Sequence, residues 1–108
     1  QRQLAALRGR LLARSGSVTE AVRELGELVR SVRPADNDPN LHLYLSLYAD
    51  ALPEESGDDD KVTVLAKALK GLQERASRID APAERSAFLH ANRWNRAIME
   101  EARSRRLA

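Results

Sequence analysis

The chain holds two histidines, His42 and His90, and no cysteine. Cysteine-based zinc sites, thiol nucleophiles and disulfide scaffolds are thereby excluded, and two imidazoles cannot build a His-based metal cluster within one chain. His42 falls in the first turn of an expected helix, where a solvent-facing or locally hydrogen-bonded side chain is expected. His90 stands close to Phe88 and Trp94 in sequence and is expected to help hold a bend between the last two segments. Spacing puts no Ser, Thr or acid beside it, so no general base is expected. Asp58, Asp59 and Asp60 invite a divalent cation. A calcium loop, however, distributes ligands at alternating positions around a central Gly and ends on a bidentate Glu. That pattern is missing, and a solvated helix cap is the expected role. No Gly-rich loop with a Lys is present to cradle phosphate. The expectation is no catalytic residue, no cofactor and no metal.

Residues suited to contacts are easier to find. Tyr44 and Tyr48 are one helical turn apart; core packing is expected of them, with a groove surface for a peptide or partner helix as the alternative. Trp94 is expected to anchor the terminal helices with Phe88, or else to anchor an interface. Arg93, Arg96, Arg103, Arg105 and Arg106 surround Glu100 and Glu101, and Arg96–Glu100 and Glu101–Arg105 have i,i+4 spacing. That stretch reads as a solvated face, then as a rim for an acidic protein partner, then as a nucleic-acid contact. The partner-binding candidates are therefore Tyr44, Tyr48, Trp94, Arg93, Arg96, Arg103 and Arg106. A membrane-surface helix is not expected, because the apolar side of the last segment is short of bulky residues.

At 108 residues the chain suits one small domain. It is 43% hydrophobic but only 4% aromatic, which favours a Leu- and Ala-rich helical core over strands. Apolar runs are short and broken by charge, so none spans a bilayer, and the first residues do not read as a secretion signal. With Gln1 rather than Met at its start, the chain is expected to be a processed, trimmed or excised fragment. The net charge of +2 is weak support for nucleic-acid binding. Its distribution says more: residues 1–33 carry a surplus of four positive charges and residues 61–108 a surplus of six, while residues 50–60 hold six acids and no base. An acidic hinge separates two basic halves. It reads as a solvated loop, with a contact for a basic partner or for the chain's own Arg-rich ends as the alternative.

Six segments must position these residues. Residues 2–14 are predicted helical, with Leu4, Leu7, Leu11 and Leu12 as the inward stripe. Gly9 inside it costs about 1 kcal/mol against Ala unless a neighbour packs closely there. Gly16 is expected to close that helix and Ser17 with Glu20 to form a capping box for the next, 18–32. Asp38-Pro39 is read as the start of a helix over 39–52. Leu41, Leu43, Leu45 and Leu47 alternate as a strand would, but Leu41, Tyr44, Leu45, Tyr48 and Leu52 form a helical stripe; helix is preferred, central and covered on two sides. Asp59 or Asp60 should cap a long helix, 60–79, with Val62, Leu65, Leu69, Leu72, Ala76 and Ile79 inward. Pro82 opens a helix over 82–91, with Ala83, Ala87, Phe88 and Ala91 inward. Asn92 caps a last one over 93–106, with Trp94, Ala97, Ile98 and Ala102 inward; one bent helix over 82–106 is the alternative.

Residues 5–34 resemble one tetratricopeptide repeat. Gly9 resembles the small residue of that family's first helix, Leu12 its large inner residue, Gly16 the turn glycine, Ala21 the small residue opening the second helix, and Leu25 its bulky partner. Ala5 and Arg8 depart from the family's Trp and Leu, Leu28 stands where Ala is usual, and Pro34 falls late. The tail AERSAFLHANRWNRAIMEEAR is similar to the closing helices of long bacterial repeat proteins that accompany signalling or defence ATPases and proteases. The resemblance implies a cytoplasmic scaffold or end cap that binds a protein partner or neighbouring repeats of the same polypeptide, and it transfers no catalytic residue.

The expectation is thus an all-α domain over 1–108 of five or six short-linked antiparallel helices, helical-repeat-like or a bundle, open to being a fragment of a longer repeat array. Its expected role is a non-catalytic interaction or assembly module, with a basic helical nucleic-acid binder as the alternative.

Overall fold

A computed structural model of the chain describes residues 1–53 and 60–107. The acidic segment 54–59, and with it the readings of Asp58 and Asp59, lies outside the described residues. The described residues are all-α: α1 (Arg2–Arg14), α2 (Val18–Ser31), a 3-10 turn (Pro34–Asp36), α3 (Leu41–Ala51), α4 (Lys61–Ser77), α5 (Pro82–His90) and α6 (Arg93–Ser104). Residues 41–51 are helix, not strand, and 82–104 is two helices broken at Ala91-Asn92.

The stops and starts have local causes, some differing from expectation. Gly16 has φ +90°, and the amides of Gly16 and Ser17 return to the carbonyls of Ala13 and Leu12 at 3.3 and 2.9 Å, closing α1 through a left-handed glycine. The same closure undoes the expected capping box: the Ser17 amide is already given to Leu12, so Glu20 has no free donor to reach, and the Ser17 side chain makes no cap bond. Asp38 does not cap α3 either. One of its oxygens accepts from the Asn40 amide at 2.9 Å and the other from Arg2 at 3.0 Å, so Asp38-Pro39 forms a turn and the helix starts after Asn40. Arg2 also holds Asp36 at 2.7 Å, tying the start of α1 to the α2–α3 connector. The Arg33 amide first, and the Arg2 guanidinium second, hold the Asp36 carboxyl below the usual carboxylate range. Asp60 caps α4 by accepting from the Thr63 amide and hydroxyl at 3.1 and 3.0 Å. Asn92 caps α6 from its side-chain oxygen, which takes the amides of Trp94 and Asn95.

Packing centres on α3. His42, Tyr44, Leu45, Leu47, Tyr48, Ala49 and Ala51 are all buried, so this helix is enclosed rather than laid on a surface. α2 and α4 both pack on it, α1 covers α2 and part of α3, and α5 and α6 close over the α4 side. Among the described residues no Cα of α2 comes within 8 Å of a Cα of α4, and a cleft with α3 as its floor lies between them.

Two helices turn a different face inward from the one their leucines and alanines suggest. α1 buries Ala6 and Gly9, while Leu4, Leu7 and Leu11 are 64, 52 and 68% exposed. The reason is close approach: a Cβ built on Gly9 would stand 2.5 Å from Leu25 Cγ and Cδ2, so the small-residue side of α1 fits against Leu25 and Leu4, Leu7 and Leu11 are turned out, while Leu12 of the expected stripe does pack against the core. In α5 no residue is fully buried; Ala83, Ala87 and Ala91 are exposed, and Phe88, Leu89 and Arg85 make the inner contacts. Its short length and small alanines give little area to bury, so Arg85 secures it instead, donating to the Ile79 carbonyl at 2.7 and 3.0 Å. Val62 is likewise exposed at the rim of α4, and Ala97 is exposed on α6, where Asn95 takes the inward position.

Gly9 and Gly71 offer a paired test. Gly9→Ala should destabilise the domain by about 1–3 kcal/mol in urea titration, because overpacking against the buried Leu25 side chain, its branch point included, outweighs the gain in helix propensity. Gly71→Ala, whose Cβ would meet His42 Cβ at 3.4 Å, should be neutral or stabilising by up to about 1 kcal/mol.

Candidate functional site

The most constrained polar group joins α3 to the last two helices. His42 and Asn95 are 7 and 3% exposed, and His42 Nε2 lies 3.1 Å from Asn95 Oδ1. The Asn95 amide nitrogen donates to the Phe88 carbonyl at 2.9 Å, so its oxygen faces the imidazole and Nε2 must be the donor. The Phe88 ring meets the imidazole edge-on, at 6.3 Å and 67°. His42 is therefore neither solvent-facing nor locally bonded as its helix position suggests; its partner is 53 residues away. Sequence spacing carries no signal for such a pair. Burial holds the His42 pKa below its ordinary value, with the nearby Arg75 charge acting the same way and the Asn95 bond opposing. His90 is exposed.

The aromatic candidates divide. Tyr48 is 5% exposed, and a Cβ on Gly26 of α2 would stand 3.2 Å from its hydroxyl, so its ring is internal. Tyr44 is 2% exposed, and burial raises its pKa above the ordinary phenol value. Neither tyrosine forms an exposed docking face. Tyr44 nonetheless shares a pocket of about 220 Å³ with Trp94, walled by Leu7, Arg10, Leu43 and Leu47. Trp94 is half-buried and does not pair with Phe88, which is taken by His42. Instead the guanidinium carbons of Arg10 and Arg93 lie 4.4 and 4.9 Å from its ring centroid. Burial first, then the like charges of Arg14 and Arg93, lower the Arg10 pKa. Arg96, Arg103 and Arg106 are exposed, with Arg96 3.9 Å from Glu100. Arg106 has φ +59°, the left-handed position that ends α6. The arginines of α6 are thus spread along an outer face, and Arg93 is the one of them placed against Trp94.

Two surfaces that spacing alone did not single out complete the picture. The leucine ridge of α1 runs along the outside of the fold. On another side, the cleft between α2 and α4 encloses about 500 Å³. Both need tertiary structure to be seen, since each depends on which faces neighbouring helices leave open. Among the described residues no three His, Asp or Glu side chains converge as a metal site, and no helix is long and apolar enough to cross a membrane.

This is a helical bundle with open apolar and basic faces. Its family is a C-terminal domain family, TP_0123_C, whose model matches residues 3–106, from α1 through α6; the chain belongs to it. No curated protein and no solved structure matches the chain.

His42 gives the site a pH signature. Because its folded pKa is lowered, its contribution is full above the unfolded value near 6.5 and declines as pH falls through 6.5 towards the folded value. Unfolding free energy measured in urea from pH 7 down to 5 should fall with a slope of at most about 1.4 kcal/mol per pH unit from this proton. His42→Gln should lack that component.

Proposed function

We propose that this domain is a non-catalytic protein-interaction or assembly module, the scaffold or end cap of a longer intracellular polypeptide. The observation that carries the reading is the exposed ridge of Leu4, Leu7 and Leu11, aligned on one side of α1 and turned away from the core. Full burial of an exposed leucine contributes about 1.5–3 kcal/mol, and these three have half to two-thirds of their surface left to cover, so a helix laid along the ridge gains substantially from apolar burial alone. The description of the family as a C-terminal domain supports placing the chain at the end of a longer protein. So does the α1–α2 hairpin, with Gly9 against Leu25 and Gly16 in the turn. In a tetratricopeptide-like stack such a hairpin receives the preceding helix pair on its outer side. A nucleic-acid reading would draw on Arg93, Arg96, Arg103 and Arg106. Arg93 is laid on Trp94 and Arg96 is near Glu100, and no described contact favours that reading over a protein partner.

Hydrogen exchange compares the isolated chain with the native full-length polypeptide. Amides over residues 4–12 should exchange at least about tenfold more slowly in the full-length protein, where the ridge is covered. Leu7→Ser with Leu11→Ser should abolish the difference while leaving the isolated domain folded. Equal exchange in the two proteins, with the double variant unchanged in melting temperature and assembly, would overturn the proposal.

A further inference from the structure

We infer that the cleft between α2 and α4 is a docking groove for an acidic amphipathic helix of a protein partner. The inference rests on the protein-interaction reading but uses a different face from the α1 ridge. Its floor is apolar: Val29 from α2, Val32 just after it and Leu41 from α3 are half-buried, and the buried Leu45 also lines it. Its rim is cationic, formed by Arg33 on one side and by Lys67, Lys70, Arg75 and Arg78 along α4. Two acids also line it. Asp38 is held by Arg2, and Glu74 stands between Lys70 and Arg78. Counting both acids, the lining keeps a surplus of three positive charges. Among the described residues, none of these five cations has an ion-pair partner within 4.0 Å.

The shape and spacing of the charges choose the occupant. From Lys67 to Arg78 the cations run along about 16 Å of helix, three turns. A small anion would meet only one or two of them, whereas a helix lying in the cleft meets the whole line. Apolar residues at i, i+3, i+4 and i+7 of that helix would cover the floor, and Asp or Glu on its flanks would face the rim. A single-stranded nucleic acid uses aromatic side chains as stacking platforms, and no aromatic other than the His42 imidazole lines the cleft. Phosphates would also leave the apolar floor uncovered.

The test uses a labelled synthetic helix of about 16 residues with Leu on one face and Glu on its flanks, the same peptide with Lys for Glu, and a single-stranded and a duplex DNA of about 16 nucleotides. Binding to the 108-residue chain is read by fluorescence anisotropy at about 50 and 200 mM salt. The acidic peptide should bind, more weakly at the higher salt, and the basic peptide should not. Lys67→Glu, Lys70→Glu and Arg78→Glu together reverse exposed charges, so circular dichroism should be unchanged while affinity falls by at least about tenfold. Leu7→Ser with Leu11→Ser should leave that affinity intact. Equal binding of both peptides, full binding by the charge-reversed variant, or tighter binding of either DNA would overturn the inference. Loss of peptide binding in the leucine variant alone would also overturn it, while keeping the α1 ridge as the interaction surface.

Discussion

A helix that is apolar around most of its circumference cannot stop at one partner. α3 is such a helix, and the rest of the architecture follows from enclosing it. α2 and α4 take opposite flanks, α1 backs α2, and α5 and α6 arrive over α4. Because the two flanking helices pack on α3 with their backbones held apart, enclosure is incomplete along one line, and the cleft is the gap that remains. Fold and surface are two results of the same demand for burial.

The interior is mostly leucine and alanine, which tolerate many arrangements of similar volume. Specific orientation comes from a few less forgiving groups. Leu25 against Gly9 sets the distance between α1 and α2. His42, Asn95 and the Phe88 carbonyl link α3 to the C-terminal pair through directional bonds that an apolar core lacks. Arg2 fastens the α2–α3 connector to the first helix through Asp36 and the more buried Asp38, although a surface ion pair such as Arg2–Asp36 contributes little to stability.

Helix positions were legible because their punctuation is local. Gly16, Asp60, Pro82 and Asn92 act on backbone groups within three residues or so, and the segments they bound fall within two residues of expectation. Orientation was less so. A leucine stripe predicts the inward face only where bulk is wanted at the contact; in α1 a close approach favoured Ala6 and Gly9, and the run Ala5, Ala6, Gly9, Ala13 was the available signal. In α5 the alanines had too little area to decide the matter. Tyr44 and Trp94 do share a pocket, but the arginine opposite Trp94 comes from α1, which no spacing within residues 93–106 could have supplied. The His42–Asn95 pair and the cleft are likewise products of folding two distant stretches together.

α5 buries none of its own side chains completely, and yet it is held. What holds it are two half-buried side chains, Phe88 and Leu89, a main-chain oxygen of its own offered to Asn95, and one guanidinium that closes the preceding turn. Main-chain atoms are the same whatever residue carries them. The stretch from Pro82 to His90 therefore has unusual latitude to drift, Arg85, Phe88 and Leu89 apart, and a lineage could rewrite the outer surface of this helix without disturbing the bundle beneath it.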